Sequence, residues 1–127
     1  MLHHVEINVS DLNKSLSFWQ WLLENLGYKE YQSWDQGKSW KLNDCYIVFV
    51  QTEEKHKNVV YHRCKTGLNH LAFHARSREH VDQITEECRR RNITILYKDR
   101  HPYAGKEAYA VYFEDPDRIK IELVAPQ

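Results

Sequence analysis

Two histidines and one glutamate carry the first chemical signal: His4, His70 and Glu122. Each sits in a short stretch where polar and apolar residues alternate, the period of a half-buried strand. His4 shares a face with Glu6 and Asn8, opposite Val5, Ile7 and Val9. His70 shares one with Ala72 and His74. The two stretches occupy equivalent points of a pattern that runs through the chain twice, and laying 44–50 on 118–124 sets Val48 opposite Glu122. Two neutral imidazoles and a carboxylate suit a divalent transition metal such as zinc, iron, manganese, nickel or cobalt. They leave coordination positions open for water or substrate, which Lewis-acid chemistry requires. The plain alternative is three hydrogen-bonded sheet residues. Their repeat-related placement speaks against it.

Further candidates follow from strand parity. Glu6, two residues from His4, has three possible roles: a base, a hydrogen bond to a ligand, or a bland edge residue. His74, on the face of His70, can shuttle a proton near neutral pH or simply be hydrogen-bonded. Tyr112 either offers its hydroxyl to a substrate or packs. The segment 98–108 is long for a strand-to-strand connection and holds Arg100, His101, Tyr103 and Lys106, as a substrate lid or a solvated loop would. Tyr61-His62-Arg63 is a weaker candidate for an anion contact.

The elements that must position these groups are legible. A strand over 3–9 leads to a Ser10-Asp11 cap. A helix follows, with Leu12, Leu16, Trp19, Leu22, Leu23 and Leu26 at helical spacing and Gly27 as its stop. Strands are expected over 28–34, 38–42 and 45–51, with turns at 35–37 and 43–44. The polar stretch 53–65 reads as a linker with a possible short strand at 59–62. The pattern then restarts: a strand over 68–75, a Ser77-capped helix carrying Val81, Ile84 and Cys88, and strands over 93–97, 109–113 and 118–124. Arg89-Arg90-Arg91 forms the last turn of that helix, where positive charge suits the helix dipole, with a phosphate-binding patch as the alternative.

With 127 residues, 42% of them hydrophobic, the chain is the size of one domain with a real core. Eighteen basic and eighteen acidic residues cancel, so the footprint of a nucleic-acid binder is missing. Three cysteines without a CxxC pair argue against a disulfide framework and fit a reducing compartment. No signal-peptide pattern and no membrane-length apolar stretch is visible, so a cytoplasmic location is expected.

The stretch His4-Val5-Glu6-Ile7-Asn8-Val9-Ser10-Asp11-Leu12, followed by Ser15 and Phe18-Trp19, resembles the opening of the vicinal oxygen chelate superfamily. This superfamily spans glyoxalase, fosfomycin-resistance, bleomycin-resistance and extradiol-dioxygenase proteins. Gly67-Leu68-Asn69-His70-Leu71-Ala72-Phe73 resembles the start of its second module. Phe113-Glu114-Asp115-Pro116-Asp117 with Ile119-Lys120-Ile121-Glu122-Leu123 resembles its closing signature. The resemblance implies an α+β fold: two βαβββ modules forming a curled mixed sheet around a central cleft, with the helices outside. It implies one glyoxalase-like domain over 1–127, with module one about 1–55, a linker about 56–66 and module two about 67–127. It also implies that His4, His70 and Glu122 bind one divalent metal, and that two chains pair, often with ligands drawn from both.

The departures from the family narrow the reaction. The fourth, carboxylate ligand of a metal-dependent glyoxalase I would fall at Val48, so that activity is not expected. Gln51, near the glutamine of methylmalonyl-CoA epimerases, has the wrong strand parity. The three-ligand set matches fosfomycin-modifying enzymes, but Ala110 replaces an expected hydroxyl and their anion-binding positions are not clearly reproduced. Most extradiol dioxygenases are about twice as long. Arg118 stands where a glycine usually follows Asp-Pro-Asp. The expected function is a metal-dependent lyase, isomerase or transferase that chelates a small oxygen-rich molecule. Glu6, His74 and Tyr112 are its catalytic candidates, and Arg100, His101 and Tyr103 its substrate contacts. The rivals are a metal-free protein that sequesters an antibiotic and a module that has lost its chemistry. A homodimer is expected, and neither nucleic acid nor membrane as a partner.

Overall fold

A computed structural model describes residues 1–102 and 108–127. It divides into two compact units, 1–60 and 61–127. The first runs β1 (His4–Val9), α1 (Leu12–Asn25), β2 (Lys29–Trp34), β3 (Gly37–Leu42) and β4 (Cys45–Gln51). The second runs β5 (His70–His74), α2 (Arg78–Arg90), β6 (Ile95–Leu96), β7 (Ala110–Glu114) and β8 (Lys120–Val124). Each unit is βαβββ, and each has its own four-stranded mixed sheet, ordered β1-β4-β3-β2 and β5-β8-β7-β6. In both, the first and last strands pair in parallel and the remaining pairs are antiparallel.

Local chemistry sets the element ends. The Asp11 carboxylate accepts the Lys14 amide at 3.2 Å and caps α1. Gly27 ends that helix with φ +94°, a conformation open to glycine at little cost. Ser77 caps α2 by accepting the His80 amide at 3.0 Å. One side of each sheet is then covered by its helix. Phe18, Trp19, Leu22 and Leu23 of α1 are buried, as are Trp40, Ile47 and Phe49 of the sheet, and the Trp19 and Phe49 rings stack at 4.8 Å. Val81, Ile84 and Cys88 of α2 are buried, as are Ile95, Val111, Phe113, Ile121 and Leu123. Truncating a buried aromatic such as Trp19 to alanine costs about 3–5 kcal/mol.

The structure corrects three sequence expectations. No strand forms at 59–62. A 3-10 turn, Glu54–His56, precedes Val59 and Val60, which are exposed, because β-branched residues become a strand only where a ladder partner exists. The strand expected over 93–97 shrinks to Ile95–Leu96. Tyr97 takes φ +54°, and its carbonyl accepts the amides of Arg100 and His101 at 2.9 and 3.0 Å, turning the chain away from the ladder. The last strand starts at Lys120, not Arg118, because Arg118 adopts φ +65° in a turn. In that turn the Asp115 carboxylate accepts the amides of Asp117 and Ile119, each at 2.8 Å. The turn explains the glycine usual at position 118, since positive φ favours it.

The three cysteines are all free, with Cys64 exposed and Cys88 buried. Burial pushes the Cys88 thiol up to about 12. No helix among the described residues is long and apolar enough to cross a membrane.

Candidate functional site

On the second sheet, ladder register decides which side chains meet. His70 lies opposite Lys120, and Glu122 lies between Ala72 and Tyr112. Glu114 lies opposite Lys120. Directly opposed residues share a face, so His70, Lys120, Glu122, Tyr112 and Glu114 all stand on the side away from α2. The apolar partners Val111, Phe113, Ile121 and Leu123 point the other way and are buried.

Within this face His70 Nε2 is 3.1 Å from Glu122 Oε2. His70 Nδ1 is 2.7 Å from the Asn69 side-chain oxygen. With that oxygen as acceptor, Nδ1 carries the ring's proton and Nε2 presents a lone pair toward a carboxylate oxygen. Two electron-rich atoms face each other stably only with a proton or a metal ion between them. The donor set fits a metal on that ground. The side chains are 33% and 15% exposed.

The ladder sets the Tyr112 phenol beside the Glu122 carboxylate. Burial, and then the neighbouring Glu122 charge, push the Tyr112 phenol up to about 12. It therefore stays protonated at neutral pH and acts as a donor. Lys120 Nζ donates to the Tyr97 hydroxyl at 3.2 Å and lies over the Tyr97 and Tyr112 rings at 5.5 and 5.9 Å. Among the described residues it has no carboxylate within ion-pair distance. The sequence reading missed Asn69, Tyr97 and Lys120. Parity had a signal for Lys120, two residues before Glu122. Adjacency to His70 was the signal for Asn69. Tyr97 had none, because its placement depends on a left-handed turn.

The other candidates are distributed as follows. His4 is exposed on β1, stacks on Tyr46 at 4.6 Å, and its Nδ1 is 2.8 Å from Nδ1 of His3. Glu6 is exposed and pairs with Val48 in the ladder, so both lie on the face of His4. Val48 is buried and offers no ligand atom. Gln51 ties the end of the strand to the start of α1: its oxygen accepts the Leu12 amide at 2.9 Å and its nitrogen donates to the Ser10 carbonyl at 2.9 Å. His74 is exposed and pairs with Val124. Arg100 lies over the Tyr97 ring at 5.6 Å, while His101 lines a separate cavity. Tyr103 and Lys106 lie outside the described residues. Arg63 is engaged, donating to Glu114 at 2.9 Å and to the Arg118 carbonyl at 3.1 Å. Among the described residues no group of three or more His, Cys, Asp or Glu gathers that could hold a metal. His70 and Glu122 meet within the second unit, and His4 belongs to the first.

This architecture has known counterparts. A family profile for the Glyoxalase/Bleomycin resistance protein/Dioxygenase superfamily matches residues 1–123. The chain belongs to that superfamily. It is 56% identical to the Bacillus subtilis (strain 168) protein YqjT over 126 residues, 98% of each chain. It is 26% identical to the glutathione transferase FosA of Serratia marcescens over 122 residues, 96% of this chain and 78% of the relative. A candidate glyoxalase from Bacillus halodurans superposes with TM-score 0.97 at 59% identity, covering 99% of this chain and 96% of that one. The fosfomycin resistance protein FosX of Listeria monocytogenes superposes with TM-score 0.73 at 26% identity, covering 100% and 93%. FosX has also been solved with Mn(II) and sulfate.

Proposed function

We propose that this protein is a metal-dependent enzyme of the superfamily, acting on a small oxygen-rich molecule, with His4, His70 and Glu122 holding one divalent transition metal. The observation that carries this reading is the His70–Glu122 pair at 3.1 Å, oriented by Asn69. The resemblance to FosA and the Mn(II) in FosX support it. When bound, such a metal supplies Lewis acidity toward neighbouring substrate oxygens. The chain's own groups do the rest. Asn69 fixes the His70 ring. Tyr112, kept protonated, donates a hydrogen bond where negative charge develops. Lys120, with Tyr97 beside it, attracts the acidic part of a substrate. Glu6 or His74 moves the proton.

Elemental analysis of the purified protein, beside a His4→Ala/His70→Ala double variant, tests this. The expected result is about one transition metal per chain in the parent, lost in the variant with unchanged circular dichroism. No metal in the parent after incubation with zinc, nickel, manganese and iron(II) would sink the reading. Tight binding of an aromatic drug by that metal-free protein would then establish the sequestering function.

A further inference from the structure

A second feature lies away from the His70–Glu122 face. A cavity of about 490 Å³ opens beside β6 and the C-terminal turn of α2. Its polar lining consists of Arg89, Asn92, Thr94, Lys98 and His101, and Ile93 and Ile95 give it apolar wall. Among the described residues the lining contains no carboxylate.

The electrostatics of this lining are one-sided. Among the described residues Lys98 has no carboxylate within ion-pair distance. Arg89 shares its guanidinium with Glu86 but has further N–H groups to offer. The His101 Nδ1 is buried and has no hydrogen-bond partner among the described residues. A buried ring nitrogen left without a partner costs free energy that a bound ligand can recover. The carbonyl end of α2 opposes an anion. That opposition is reduced because the Cys88 and Arg89 carbonyls accept the amides of Ile93 and Asn92, at 2.9 and 3.2 Å. The volume lies in the range of small-molecule sites and is far larger than a lone phosphate needs.

We propose that this cavity is a second binding site, for a small organic phosphate whose phosphoryl group meets Lys98, Arg89 and His101 and whose compact apolar body lies on Ile93 and Ile95. The basic end of α2 thereby joins a binding surface as well as a solvated helix face. Phosphate is favoured over a carboxylate because three cationic or donor-bearing side chains and two neutral donors line the cavity, more than a carboxylate's two oxygens use.

The test is a ¹H–¹⁵N NMR titration of the purified protein with phenyl phosphate, with benzoate, benzyl alcohol and inorganic phosphate in parallel. The proposal expects saturable shifts of the amides of 92–95 and 98–101 with phenyl phosphate. Benzoate and inorganic phosphate should bind more weakly and benzyl alcohol not at all. Lys98→Glu should weaken phenyl phosphate about tenfold or more, by replacing a charge-assisted contact with repulsion. His70→Ala should leave these shifts in place, which separates this site from the proposed metal site. Shifts confined to residues around His70, Tyr112 and Glu122 would overturn the proposal. So would equal binding of benzyl alcohol, indifference to Lys98→Glu, or no saturable shift. The spectrum of each variant reports whether it is folded.

Discussion

At the scale of single residues, the candidate centre depends on a neighbour that no pattern of ligand types announces. Asn69 accepts from His70 Nδ1 and so decides which ring nitrogen is available. Replacing it frees the ring to rotate and to change tautomer. On the reading that His70 binds metal, Asn69→Ala should weaken metal affinity about 10- to 100-fold without loss of fold, measured by competition against a chelator. Unchanged affinity would show that the Asn69 bond is incidental. Parity and the repeat put His70 and Glu122 forward as candidates, and the structure sets them 3.1 Å apart. Parity was not enough to rank His74 or Glu6, because sharing a face says nothing of how far along the strand a group lies from the reacting centre. The loop residues fared differently again. Arg100 and His101, neighbours in sequence, contact different features, because the turn at Tyr97 sends them apart.

At the scale of elements, α2 carries a built-in sensitivity to acid. His80 is buried in its first turn, and its Nδ1 accepts the Arg76 amide at 3.1 Å. Burial first, and then the nearby Arg76 charge, hold its imidazole below the usual 6.5. The unfolded chain therefore binds the proton more readily than the folded one. The contribution of His80 to stability is complete above pH 6.5 and falls as the pH drops from there through the folded-state value. His80→Asn keeps an acceptor for the Arg76 amide but cannot titrate. Urea denaturation should show wild-type stability falling more steeply between pH 7 and 5 than that of the variant. Parallel slopes would place the acid sensitivity elsewhere. The strand ends teach a related lesson. Periodicity located every strand that has a ladder partner, and it misplaced those ends that a positive φ at Tyr97 or Arg118 terminates. The Tyr97 side chain does not announce that conformation, which belongs to local turns closed on the Tyr97 carbonyl and on Asp115.

At the scale of the whole molecule, the proposal that His4 and the His70–Glu122 pair serve one metal has two forms, with the ligands from one chain or from two. The superfamily resemblance favours two paired chains. Mixing two inactive variants decides between the two forms. If each centre takes His4 from one chain and the pair from another, heterodimers of His4→Ala with His70→Ala regain one intact centre. Refolding the mixture should then restore up to about a quarter of the parent's metal content, since half of randomly paired dimers are mixed and each has one of two centres. If all three ligands come from one chain, the mixture binds none. Light scattering that finds only a monomer at micromolar concentration would rule out the paired arrangement directly.

The amino-acid sequence by itself determined the duplicated βαβββ order, the helix caps, the faces of the strands and the superfamily. All of these follow from short-range periodicity, turn chemistry and motif residues that are local in the chain. It also named His70 and Glu122 as candidates, and the pairing of β5 with β8 brings them together across 52 positions. Tertiary structure alone decided the rest. Ladder register set Lys120 beside Tyr112, and the segment before β5 brought Arg63 to Glu114. The left-handed turn at Tyr97 carried its phenol to Lys120 and His101 to a separate cavity. The ladder and Arg63 contacts join residues distant in sequence, and the Tyr97 turn takes a backbone angle that its residue type does not prefer.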